Sequence, residues 1–117
     1  MNRQQLIQKF EHIAPVKNIG QSYQHSNSPY IVLKAMTDGK DSGNSFGGYQ
    51  NYNLLCYVPD TSTKMLDDLV NAVKNRVFEL QNEGIEYAGS LGEDFHDTEI
   101  KMYMRYVAIR VPHQANM

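Results

Sequence analysis

Apolar residues recur in two parts of this chain at spacings of three and four, the period of an amphipathic helix. The first part predicts a short helix over residues 3–13, which Pro15 ends. The second predicts a longer helix that begins after the hydroxyl side chains at 61–63 and ends near residue 82, with Gly84 as its C-terminal cap. Its apolar stripe consists of Leu66, Leu69, Val70, Val73, Val77 and Leu80. We interpret this stripe as a core-facing surface.

Short apolar and β-branched runs predict four strands, over residues 30–36, 52–58, 85–90 and 99–111. The first two are expected to pair as an antiparallel hairpin. The last has apolar residues on both faces of its alternation, so we expect it to be central in the sheet or covered by a neighbouring subunit. Together these elements predict one α+β domain over the whole chain. It has a mainly antiparallel sheet of about four strands, a long helix packed on one face and a short N-terminal helix.

A polar run of fifteen residues with four glycines, 37–51, separates the first two strands. Connections this long in a small domain are usually working surfaces, whereas the other interpretation is a hairpin tip without a role. We favour a contact surface because aromatic side chains in such a run are costly to leave in water. The candidate contact residues here are Asp38, Lys40, Asp41, Asn44, Phe46 and Tyr49.

Composition narrows the function classes. The 117 residues have a formal charge of -2, which disfavours non-specific binding of nucleic acid because phosphate surfaces need a basic excess. No apolar run is long enough to suggest a membrane span. The lone Cys56 lies in an apolar run, so we expect a small buried hydrophobic side chain and a reducing compartment.

A second polar segment, residues 91–98, is predicted to be an acidic turn. Carboxylates can bind a cation, but no calcium-loop or zinc spacing is present, and no serine has a nucleophile-elbow context. We therefore predict no catalytic residue, metal or cofactor, and interpret this turn as a solvated segment or the rim of an interface. Its candidate contact residues are Asp94, Phe95, His96 and Asp97.

Three stretches, YQHSNSPYIVLKAMTDG, QNYNLLCYVPDTSTKMLDDLVNAVKNRVFEL and MYMRYVAIRVP, resemble the tail terminator, or tail-to-head joining, proteins of long-tailed bacteriophages. The resemblance implies a structural virion protein with no enzymatic activity. Such α+β protomers form a ring, commonly a hexamer, on the last ring of the tail tube. The ring ends tube polymerisation and presents a surface to neck or head-completion proteins.

The resemblance further implies assembly in the host cytoplasm and a final location in the virion tail or neck. DNA would pass through the lumen of the ring without specific binding, and no membrane would be involved. The loop 37–51 and the turn 92–98 become candidate contacts with the tail tube or the neck. Alternatives are another neck or tail-completion protein, a small cytosolic binding module that uses the 37–51 loop, and a small enzyme that uses His96.

Deleting residues 43–48 should leave the melting temperature nearly unchanged, because a hairpin tip contributes little to the core. The same deletion should impair assembly with the partner protein, which light scattering on mixtures would measure. A large fall in melting temperature would show that the segment is a structured element and not a loop.

Overall fold

The computed structural model describes residues 2–18, 25–36, 49–89 and 93–112. In this part of the chain two α-helices and a short 3₁₀ helix accompany six strands. The helices are α1 (Arg3–Gln8) and α2 (Thr63–Glu79), and the 3₁₀ helix spans Gln81–Glu83. The strands are β1 (Val16–Asn18), β2 (Tyr30–Ala35), β3 (Tyr49–Pro59), β4 (Glu86–Gly89), β5 (Phe95–Asp97) and β6 (Met102–Pro112).

The strands form one mixed sheet in the order β1-β2-β3-β6-β4, with β5 also paired to β6. Because β3 pairs with β6 along its whole length, β4 and β5 both lie on the other edge of β6. The pair β1–β2 is parallel and the other pairs are antiparallel. The α+β class is confirmed, but the sheet has six strands where about four were expected, and its parallel β1–β2 pair was not predicted. The two strands that the sequence did not predict are β1 and β5. Each has three residues, too few to show a period.

The four predicted strands are present with shifted ends. β3 begins at Tyr49, so the last three residues of the predicted loop belong to a strand. β6 begins at Met102, because residues 98–101 form a turn. The Asp97 carboxylate stabilises this turn by accepting hydrogen bonds from the backbone N–H groups of Glu99 and Ile100, at 3.1 and 3.3 Å.

Helix α2 follows the predicted stripe closely. The Ser62 hydroxyl caps its N-terminus by accepting a hydrogen bond from the Met65 N–H at 3.2 Å. All six stripe residues are buried, and each fully buried aliphatic side chain contributes about 1.5–3 kcal/mol. The helix ends at Glu79 and not at 82, because the chain tightens into the 3₁₀ helix before it reverses at Gly84. Gly84 has a φ of 90°, as its predicted capping role requires.

Helix α1 is shorter than predicted and ends at Gln8. Its N-terminus has a capping box between Asn2 and Gln5. The backbone leaves the helix near Lys9, where the carbonyl oxygen accepts a hydrogen bond from Arg76 Nε at 2.8 Å. In a longer α1 a backbone N–H group would donate to this oxygen. Arg76 donates to it instead and thereby links the end of α1 to α2.

Apolar side chains bury both faces of the sheet to different extents. The larger cluster lies between the sheet and the two helices. A smaller cluster lies on the opposite side, which we call the open face, and consists of Tyr30, Val32, Leu55, Tyr57 and Met102. The two faces of β6 belong to the two clusters, which explains why its sequence is apolar on both faces. Its place between β3 and β4 confirms the first of the two expectations for this strand, a central position.

Replacing Gly84 with Ala should lower the free energy of unfolding by about 1–2 kcal/mol, the usual cost of a left-handed conformation for an L-residue. The new Cβ would also lie 3.0 Å from Cγ of Pro112. Urea denaturation would measure the loss, and the slope of the unfolding free energy against urea concentration should stay unchanged. Asn82→Ala, an exposed position in the adjacent 3₁₀ helix, should change stability by less than about 0.5 kcal/mol. Equal effects at the two positions would contradict the capping role.

Candidate functional site

Strands β4 and β5 are two pieces of one interrupted edge alongside β6. β4 pairs with β6 at residues 108–110 and β5 pairs with it at residues 102–104. The predicted acidic turn therefore contains a strand, and the residues of β5 point alternately to the two faces of the sheet. This alternation separates the four candidate contact residues of the segment into different environments.

Phe95 points to the open face and is 53% exposed. It lies opposite Met104 in the β5–β6 register, and Tyr106 follows two residues later on the same face. Met104 and Tyr106 are partly buried against the small open-face cluster. We refer to Phe95, Met104 and Tyr106 as the Phe95 patch. An exposed aromatic side chain beside a partly covered apolar surface is typical of the centre of a protein contact.

His96 points to the helix face of the sheet. Its Nε2 atom lies 3.0 Å from Asp60 Oδ2, and its ring centroid lies 4.8 Å from that of Tyr103. The Asp60 N–H also donates to the Lys101 carbonyl oxygen at 3.2 Å. The contact with Asp60 links β5 to the turn that follows β3, so the His96 side chain has a structural role here.

Arg105 joins the segment before β5 to helix α2. Its Nε donates to Asp94 Oδ1 at 2.9 Å, and its Nη2 donates to Asp67 Oδ1 at 3.1 Å. The hydrogen bond to Asp94 is the main reason that the pKa of Arg105 is raised, and Asp67 adds to the effect. A raised pKa means that folding favours the charged guanidinium, and this contribution is fully present at neutral pH.

The structure separates the two predicted contact regions. Tyr49 pairs with Pro112 at one end of β6, whereas Phe95 pairs with Met104 near the other end. Eight residues of strand correspond to about 26 Å. The Tyr49 ring lies 6.0 Å from the Arg110 guanidinium carbon. The remaining predicted contacts, Asp38, Lys40, Asp41, Asn44 and Phe46, lie outside the described residues.

Cys56 is fully buried, as predicted. Burial raises the pKa of its thiol to about 12, and the nearby charge of Arg105 opposes this only in part. Sγ lies 3.7 Å from the Leu54 carbonyl oxygen, its hydrogen-bond acceptor. A thiol that stays protonated on the helix face of β3 is part of the core.

Within the described ranges, no group of three or more His, Cys, Asp or Glu side chains is arranged to hold a metal ion. None of the helices described is long and apolar enough to cross a membrane.

An open groove of about 290 Å³ lies between the segment after α1 and the first half of α2. Its lining residues are Ile13, Pro29, Met65, Asp68, Leu69 and Ala72. Ile13, which lies beyond the end of α1, lines one side of this groove.

Sequence reasoning missed Arg105 and its partner Asp67. The two residues are 38 positions apart, so no local spacing joins them. A signal was nevertheless present, because Arg105 stands between Tyr103 and Val107 in a strand whose alternation is apolar on both faces. A charge at such a position needs a partner across the fold.

Comparison with known proteins does not extend this description, since no protein-family model, curated protein or solved structure matches the chain.

Replacing Arg105 with Met should accelerate amide hydrogen exchange over residues 93–97, because the hydrogen bonds to the Asp94 and Asp67 carboxylates would be lost. The stability loss should be no more than about 1 kcal/mol, since the carboxylates are half exposed. Exchange measured by mass spectrometry would test this. Arg110→Met, an exposed position on the same strand, should leave that segment unchanged. Unaltered exchange in the Arg105 variant would refute the role.

Iodoacetamide should alkylate Cys56 at pH 8 at least roughly a hundredfold more slowly in the folded protein than in concentrated urea, because burial suppresses the thiolate. Mass spectrometry of timed samples would give the two rates. Since folding raises this pKa, the associated stability is present below the unfolded pKa of 9.0 and declines as the pH rises towards about 12. Rapid labelling of the native protein would contradict the buried thiol.

Proposed function

We propose that this chain is a structural subunit of a tailed-phage virion. It assembles with copies of itself into a ring, with a hexamer as the expected size, at the head-proximal end of the tail tube. The ring ends tube polymerisation and joins the tail to the neck or head. The proposal combines the resemblance over residues 25–112 with the surface that the fold exposes.

The Phe95 patch is the observation that carries the proposal. The helix face of the sheet is covered by α1 and α2, whereas the patch places a half-exposed aromatic ring on the open face. Burying such a ring against another protein gains about 25 cal/mol per Å² of apolar area. A subunit that must contact neighbours needs surfaces of this kind.

The architecture also suits a ring subunit. A closed ring needs two different surfaces on each copy, because each interface is heterologous. The sheet ends in two edges built from different strands, β1 on one side and β4 with β5 on the other. The hydrogen bonds of Arg105 with Asp94 and of His96 with Asp60 make the second edge rigid, so that it is preorganised for binding a partner.

The experiment adds the purified chain to polymerising tail tube subunits of the same phage and measures tube lengths by electron microscopy. The wild-type chain should stop growth and leave a ring at one tube end. Phe95→Ser should lose capping while its melting temperature falls by less than about 4 °C, because an exposed side chain contributes little to folding.

Phe78→Ser is the matched control, since Phe78 is also half exposed but packs on Tyr87 at the helix side, with ring centroids 5.6 Å apart. This variant should cap tubes normally. Tubes that grow to the same length with and without the wild-type chain would refute the proposal. Specific binding of a small molecule, seen as a ligand-dependent rise in melting temperature of a stable monomer, would favour the binding-module alternative.

A further inference from the structure

The two edges of the sheet carry charges of opposite sign. Residues 79–99, which include β4 and β5, contain seven carboxylates and no lysine or arginine. Residues 14–36, which include β1 and β2, contain two lysines and no carboxylate. The strands that the structure describes in these two segments lie at opposite sides of the sheet, so the charge difference along the sequence becomes a difference between two edges.

Several acidic side chains at the β4–β5 edge are available to a partner. Three of the seven carboxylates form ion pairs within the chain: Glu79 with Arg76, Glu83 with Lys9, and Asp94 with Arg105. Among the described residues, no lysine or arginine pairs with Glu86, Glu93, Asp97 or Glu99. By register, Glu86 and Asp97 lie on the open face, as Phe95 does.

Both lysines of the opposite edge lie on the same open face. Lys17 is in register with Val32, and Lys34 follows Val32 by two residues on β2. Lys34 is exposed and makes no ion pair with any described residue. The Lys17 ammonium lies 4.2 Å from the centre of the Tyr30 ring, which holds the charge at the edge.

The strand directions also match. β1 is parallel to β2, and each later step across the sheet through β3 and β6 to β4 is antiparallel. β1 therefore runs opposite to β4 and β5. Two copies placed side by side in the same orientation bring antiparallel edges together, the arrangement that neighbouring strands adopt most often.

We infer that the lysine edge of one copy, β1 with β2, docks against the acidic edge of a second copy, β4 with β5. The inference rests on the proposed ring and assigns the two surfaces that close it. Edges of like sign would repel one another, whereas these attract and set the orientation of neighbours. Phe95 provides the apolar part of the acidic edge. The negative charge comes from the four carboxylates with which no lysine or arginine pairs in the described part of the chain.

The first test is the solution mass of the full chain, measured by light scattering after size exclusion. At about 0.05 M salt the mass should rise with concentration towards roughly 80 kDa for six copies of the 13.4 kDa chain, and it should fall at about 0.5 M salt. A monomer at every concentration and salt level would overturn the inference.

Charge reversal then locates the contact. Lys34→Glu should weaken self-association at least roughly tenfold, and Glu86→Lys with Glu93→Lys should do the same. A chain that carries all three substitutions should regain part of the association, because the substituted side chains of the two edges would again be opposite in sign. Lys64→Glu is the control for net charge, since Lys64 is exposed on α2 and belongs to neither edge strand. Loss of association in the control, or no recovery in the combined variant, would overturn the inference.

Tube capping separates this inference from the proposed function. A chain that caps tubes but stays monomeric in solution would overturn the edge contact and leave the proposed function standing. A chain that forms salt-sensitive oligomers through these edges but leaves tube growth unchanged would support the contact and refute the proposed function.

Discussion

The ladder between β3 and β6 is the interaction on which the rest of this fold depends. It pairs eleven residues of each strand, from Tyr49 opposite Pro112 to Pro59 opposite Met102. The two strands provide much of the apolar surface on which α2 packs, while β2 extends the sheet on one side and β4 and β5 extend it on the other. A pair of strands alone is marginally stable, so the ladder and the packed helix require each other.

The ladder also divides the open face into an apolar and a polar end. Tyr57 and Met104 lie opposite each other where β6 begins, and Asn51 and Arg110 lie opposite each other where it finishes. The apolar end is largely buried by the chain itself, but its border at β5 leaves Phe95 exposed. This border is where assembly with another protein would bury additional apolar area.

Polar side chains near β5 have two separate roles. Asp94 and His96 are used within the chain, the first by Arg105 and the second by Asp60. Such half-exposed pairs add little to stability, but they define where the backbone of β5 lies. Among the described residues, no lysine or arginine pairs with Glu86, Glu93, Asp97 or Glu99, and these carboxylates give the edge its charge, opposite to that of the β1–β2 edge.

The sequence by itself determined the class of the fold, helix α2 to within three residues at its end, and the apolar character of both faces of β6, because periods of 3.6 and 2 are local properties of the chain. Only the tertiary structure decided that β1 and β5 are strands, since three residues acquire that state from a neighbour and not from their own pattern. It likewise decided that Arg105 meets Asp67, and that Phe95 and Tyr49 lie apart. Contacts between distant residues depend on which strands become neighbours, and no local spacing encodes that choice.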